Sequence, residues 1–193
     1  MRKLLPPLSP LIEMMNEDRQ LVEKFQKGNL NAFEKLYEKY VERIYAFLMI
    51  KSGGNKALSQ DVTSETFMKA FDKISGFVFG EKGSFSAWLY RIAYTSFIDA
   101  IKVKQADFSL DESLYVTTPV DYVDLFQKKE ATKQILAYLD TLGLEKKTIF
   151  LSRVWEHMSY IEVAEIVEKT PENCRQEFSR TLKKIIEKFS SSL

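Results

Sequence analysis

The chain has 193 residues, 45% of them hydrophobic and 28% charged, with a formal charge of +1. That apolar content builds packed cores and excludes a wholly disordered chain, and seven glycines and five prolines exclude collagen-like or turn-rich all-β architecture. One cysteine, Cys174, forms no internal disulfide and fits a reducing compartment; with one histidine, His157, it supplies no Cys/His zinc site. No run reaches the roughly 20 apolar residues of a membrane span, and prolines interrupt the apolar stretch after Arg2 and Lys3. The expectation is a cytoplasmic protein without membrane insertion, metal or cofactor.

Residues 1–15 read as an N-terminal extension, and residues 16–105 as a helical bundle. Leu21, Val22 and Phe25 share a face before Gly28, a helix stop. Phe33, Leu36, Tyr37, Tyr40, Ile44, Tyr45, Phe47 and Leu48 then recur at helical spacing, and Asn55 can cap a third helix carrying Leu58, Val62, Phe67, Ala70, Phe71 and Ile74. A loop holding three glycines follows, and Ser84 can cap a fourth helix with Phe85, Trp88, Leu89, Ile92, Ala93 and Ile101. Residues 106–134 thin out in apolar pattern, carry a local charge of −3 and read as a linker whose last part begins a helix. Its roughly 28 residues span up to about 90 Å when extended.

The segment 135–193 is helical again. Ser159 and Glu162 form a capping box, and Thr170-Pro171 is a cap followed by proline at the first helical position. The last helix places Cys174, Phe178, Leu182, Ile185 and Phe189 on one face and Arg175, Gln176, Ser179, Arg180, Lys183 and Lys184 outward, which describes a helix-turn-helix. Such a helix neutralises phosphates and reads base edges, or is simply a solvated face. Residues 173–193 carry +3 and residues 135–172 carry −3, which favours the DNA-binding reading. Glu177 is awkward there: it reads a cytosine amino group, or pairs with Arg180 or Lys184. The loop aromatics Phe77 and Phe79, with Tyr90, Arg91 and Tyr94 placed opposite the core face, suit either packing or stacking on unpaired bases. No P-loop and no nucleophile–base constellation is found. Cys174 reads as a buried small hydrophobe and His157 as a turn residue.

The block Asp61-Val62-Thr63-Ser64-Glu65-Thr66-Phe67, followed by Gly83-Ser84-Phe85-Ser86-Ala87-Trp88-Leu89-Tyr90-Arg91-Ile92-Ala93, closely resembles conserved region 2 of extracytoplasmic-function (ECF) sigma factors of the sigma-70 family. Residues 142–185, centred on Ser159-Tyr160-Ile161-Glu162-Val163-Ala164-Glu165-Ile166, resemble their region 4. The resemblance implies an all-α fold of two helical domains joined by a linker, the C-terminal one a helix-turn-helix. It implies that Asp61, Val62, Glu65 and Phe67 bind RNA polymerase core at the β′ coiled coil. It implies that Phe77, Phe79, Lys82, Phe85, Trp88, Tyr90, Arg91, Tyr94 and Thr95 serve −10 capture and melting, and that Arg175, Gln176, Ser179, Arg180, Lys183 and Lys184 read the −35 element. The β flap, promoter DNA and an anti-sigma factor are the further partners implied, and the polymerase, not this chain, is the enzyme. Departures from the family pattern stand at Ser64, Tyr94-Thr95, the short basic end Lys102 and Lys104, Glu168 in place of a turn glycine, and Glu177. The alternatives are a helix-turn-helix regulator that binds duplex DNA without polymerase core, and, least favoured, a helical enzyme.

Overall fold

A computed structural model describes residues 8–79, 84–107, 130–154, 156 and 158–189, with side chains described for 16–79, 84–103, 134–154, 156 and 158–189. Lys82, His157 and residues 108–129 of the expected linker lie outside the described residues. Eight α-helices appear among the described residues: α1 (Leu8–Gln26), α2 (Asn31–Lys51), α3 (Lys56–Lys73), α4 (Phe85–Asp107), α5 (Glu130–Asp140), α6 (Leu144–Val154), α7 (Tyr160–Val167) and α8 (Pro171–Phe189). The first helix starts at Leu8, so half of the expected extension is continuous with the bundle.

The local signals act where the sequence places them. Gly28 ends α1 at φ +93, a conformation any Cβ would strain. Asn55 accepts from Leu58 N–H, Ser84 from Ala87 N–H, and Thr170 from Asn173 N–H, each capping the helix that follows. Ser159 and Glu162 close both halves of the capping box. Inside the first unit α1 is anchored by charge as well as by Leu21, Val22 and Phe25. The buried Asp18 carboxylate accepts from the Tyr40 hydroxyl at 2.5 Å and from Lys39 at 2.7 Å. Burial first, then Asp18, pushes the Tyr40 phenol well above its ordinary value, so it stays a donor.

Packing departs from periodicity at a few places. Tyr37 and Phe71, expected inward, are exposed on the rim of α2 and α3, where Tyr37 sits edge-on to Phe67 at 4.8 Å and Phe71 to Phe33 at 5.0 Å. On α8 the expected Leu182 lies outside and Thr181 is buried in its stead, because the helix turns its inner face toward α6 and α7 through Cys174, Phe178, Ile185 and Phe189. Burial pushes the Cys174 thiol up, in keeping with a small core hydrophobe.

The two units are not held apart. α7 packs along α4 and α6 touches α2, so one apolar core runs from Val22 and Tyr40 through Tyr90 to Val163, Ile166 and Cys174. Ile50 of α2 in turn joins the core formed by Leu136, Leu139, Phe150, Leu151, Ile185 and Phe189. Ser159→Ala removes one half of the capping box and is expected to lower stability by about 1 kcal/mol. Thermal unfolding followed by circular dichroism checks this, with Ser159→Thr keeping most of the loss at bay.

Candidate nucleic-acid interface

The helix-turn-helix is built on α7 and α8. The turn depends on Glu168, which caps α7 in the left-handed conformation at φ 56, where a glycine would be relaxed. An arginine fixes the approach to it. Arg153 lies 4.2 Å from the centre of the Tyr160 ring and donates to the Met158 carbonyl, tying α6 to the start of α7. Phe150 stacks on Phe178 at 5.6 Å beneath. On this platform Arg175, Gln176, Ser179, Arg180, Lys183 and Lys184 are all exposed along α8.

Four of the six are engaged by carboxylates of their own helix, Lys183 by Glu187 at 3.8 Å. Glu172 accepts from Arg175 at 3.1 Å and Gln176 at 3.2 Å, and the Arg175 hydrogen bond holds its carboxyl below the usual range. Glu177 accepts from Arg180 at 2.9 Å and stands 3.7 Å from Lys146 of α6. Of the two sequence readings of Glu177, the structure displays the pairing with Arg180.

The first unit presents a second, aromatic surface. Phe77 and Phe79 meet edge-on at 4.9 Å, and Phe77 also lies 4.9 Å from Trp88 and 5.9 Å from Phe85. Phe85 is buried, so packing accounts for it; Phe77, Phe79 and Trp88 are half-buried, and Val78 between the two phenylalanines is 81% exposed. Two residues of α1 that sequence reasoning missed hold this cluster. Gln26 donates to the Ile74 carbonyl at 3.0 Å and to the Phe77 carbonyl at 2.8 Å, and the Arg19 guanidinium lies 5.5 Å from the Phe79 ring centre. Both contacts join residues some 50–60 positions apart, so no local pattern announces them.

Along α4 the outcome is mixed. Arg91 and Thr95 are exposed and Tyr94 half-buried, but Tyr90, expected opposite the core face, is fully buried. It is enclosed by α2 and the second unit together: Tyr90 packs edge-on against Phe47 of α2 at 5.0 Å and lies beside Glu156 of the second unit, and burial raises its phenol well above the ordinary value. Thr95 turns its hydroxyl back to the carbonyls of Arg91 and Ile92. Arg91 pairs at 2.7 Å with Glu168, the turn residue of the helix-turn-helix.

On α3, Asp61 and Ser64 are exposed and Glu65 is half-exposed in a 2.5 Å pair with Lys69, while Val62 and Phe67 belong to the core. Met68, 68% exposed, continues the stripe of Asp61, Ser64 and Glu65 one turn on. It was missed because spacing cannot tell an exposed methionine from a buried one. Among the described residues no cluster of His, Cys, Asp or Glu could hold a metal, and no helix is long and apolar enough to cross a membrane.

The geometry is that of a helix-turn-helix with an exposed basic second helix, docked on a helical bundle with an aromatic loop. Comparison with known proteins makes the assignment particular. The family model for Sigma-70 region 2 matches residues 36–106, and that for Sigma-70 region 4 matches residues 132–185. The chain is similar to the ECF RNA polymerase sigma factor SigW of Bacillus subtilis, 29% identical over 167 residues, which cover 81% of this chain and 87% of SigW. It is also similar to the ECF sigma factor BldN of Streptomyces coelicolor, 39% identical over 83 residues covering 43% of this chain and 31% of BldN. Its fold matches that of CnrH, solved in complex with the cytosolic domain of CnrY, with a TM-score of 0.63 at 18% identity over 92% of this chain and 99% of that one. The chain belongs to the sigma-70 family as an ECF-type sigma factor for transcription initiation.

Because Glu177 holds Arg180, Glu177→Gln is expected to tighten binding of the chain to duplex DNA and to steepen its salt dependence by a fraction of one phosphate contact. Fluorescence anisotropy with a labelled duplex at several salt concentrations measures both.

Proposed function

We propose that α8 reads the −35 element through Arg175, Gln176, Ser179, Arg180, Lys183 and Lys184, and that the aromatic surface of Phe77, Phe79, Trp88 and the α4 residues Arg91, Tyr94 and Thr95 serves −10 capture and strand opening. The observation that carries this reading is the exposure of all six polar and basic side chains along one helix of a helix-turn-helix, on the same chain as an aromatic loop. Arginine and glutamine pair bidentately with base edges, lysines neutralise phosphates, and aromatic faces stack on unpaired bases. Phe85 and Tyr90 support this surface from inside rather than touching DNA in the docked form. Lys82 belongs to the same reading on sequence grounds alone.

The partner on α3 is RNA polymerase core at its β′ coiled coil, met by the exposed Asp61, Ser64, Glu65 and Met68, with Val62 and Phe67 shaping the helix from beneath. The β flap belongs with the second unit. The polymerase performs the nucleotidyl transfer, and this cytoplasmic factor is not itself an enzyme. An anti-sigma partner is part of the proposal; CnrH, whose fold the chain shares, is solved with a bound protein. A regulator that binds duplex DNA without core has no use for a single-strand surface and is disfavoured. Contacting two promoter elements further apart than one duplex turn of about 35 Å requires the docked units to part, and the linker has the reach.

The decisive experiment adds the full chain to core polymerase and measures run-off transcription from candidate promoters. Core association with promoter-dependent product is expected; no association, or association without product from any promoter, overturns the reading. Arg180→Ala is expected to weaken holoenzyme binding by about 1–3 kcal/mol at promoters carrying the −35 sequence that Arg180 reads. An equal loss on every sequence would mark Arg180 as a phosphate contact instead.

A further inference from the structure

Two unlike sets of polar contacts cross the seam between the units. Along α7 they are conventional. Arg43 of α2 pairs with Glu156 at 2.6 Å, Arg91 with Glu168 at 2.7 Å, and the Ser84 hydroxyl donates to Glu162, the capping-box acid of α7. One carboxylate thus serves the N-termini of both α7 and α4.

Along α6 the contacts are of a rarer kind, an exchange of lysines. Lys147 of α6 crosses the seam to donate to the Ile50 carbonyl, one of the carbonyls left open at the C-terminus of α2, and also pairs with Asp140 of α5. Lys51 of α2 crosses in the other direction, donating to the Leu144 carbonyl at 3.4 Å. Both lysines are buried, 6% and 2% exposed. The groups facing Lys51 are Phe47 on its own helix, Tyr94 of α4 with its ring centre 5.4 Å away, Asp140 of α5, and Lys147 of α6. Two ammonium groups therefore share one carboxylate in a water-poor seam.

Burying a cation without its own counter-ion costs several kcal/mol, and a carbonyl oxygen with two aromatic faces recovers only part of it. When the units part, both lysines regain water, and Lys147 keeps its pair with Asp140 inside the second unit. We propose that Lys51 and Lys147 are an opening bias built into the seam: they keep the docked form, in which Tyr90 is covered and Ser84 and Arg91 are held, only weakly preferred. The consequence for transcription rests on the promoter-binding assignment made above; the bias itself does not.

The pH response has a definite sign. Burial, with Lys147 adding repulsion, holds the Lys51 ammonium well below the ordinary lysine value, and burial lowers Lys147 in the same direction. Tyr94 is shifted upward by burial and by Glu145 and Glu168, and stays neutral. The docked form therefore binds fewer protons than the parted form. Docking strengthens as pH rises from the depressed docked-state lysine values toward the free-lysine value of about 10.4, and that gain is lost as pH falls back through the same window.

Small-angle X-ray scattering and amide hydrogen exchange of the full chain alone, at pH 6.5 and 8.5, test this without polymerase. The wild type is expected to be more compact at the higher pH. Lys51→Met, which keeps the stem and removes the charge, is expected to be compact at both, with exchange along α4 and α7 slowed several-fold. Glu156→Gln, which removes a partner from the conventional side, is expected to expand the chain, and guards against a folding defect in the lysine variant. A Lys51→Met chain as expanded as the wild type or more so, or a wild type that compacts as pH falls, overturns the bias. Run-off transcription then tests its meaning. A lower yield from Lys51→Met holoenzyme supports an inhibitory docked form, and an unchanged yield from a demonstrably tightened variant overturns that role. A wild type that yields no product at all refutes the promoter assignment and leaves the scattering result standing.

Discussion

The contact on which the rest of the molecule depends is the laying of α7 along α4. It merges two helical units into one core and brings three acids of the second unit, Glu156, Glu162 and Glu168, against Arg43, Ser84 and Arg91 of the first. Two of these acids also have a local function: Glu162 completes the capping box and Glu168 carries the left-handed turn of the helix-turn-helix. The segment that orients the recognition helix is thereby the segment that docks on the first unit. The turn of the helix-turn-helix and the exposed Arg91 of α4 are thereby tied together.

The charge distribution follows from the same arrangement. A net charge of +1 is a sum of +1 over residues 1–15, +3 over 16–106, −3 over 107–134 and 0 over 135–193, the last splitting into −3 before α8 and +3 from its third residue onward. The negative part of the second unit faces the positive first unit across the seam, which leaves the basic helix α8 pointing to solvent. Within α8, Glu172 and Glu177 engage Arg175, Gln176 and Arg180, so a competing phosphate must displace an exposed intrahelical pair worth only a fraction of a kcal/mol.

Much of the fold was legible in the residues. Caps at Asn55, Ser84, Ser159 and Thr170, the stop at Gly28 and the proline opening α8 act within four residues of themselves, so sequence displays both partners of each interaction. The two motif blocks led to the family in the same way. The candidate surfaces were less legible. Helical periodicity identifies a stripe but not which neighbour covers it, and so it misplaced Tyr37, Phe71, Tyr90 and Leu182 and passed over Met68. Arg19 and Gln26 reach the loop from α1, and no feature of the N-terminal helix marks them for it.

The sequence by itself determined the helices, their ends, the helix-turn-helix and the membership in the sigma-70 family, because those rest on short-range hydrogen bonds and on motifs read residue by residue. Only the tertiary structure decided that the two units share a core, that Tyr90 is inside it, and that Lys51 and Lys147 exchange places across the seam. Those outcomes join residues from 43 to 113 positions apart. Burial of a charge is a property of what packs over it, and periodicity within one helix carries no record of that.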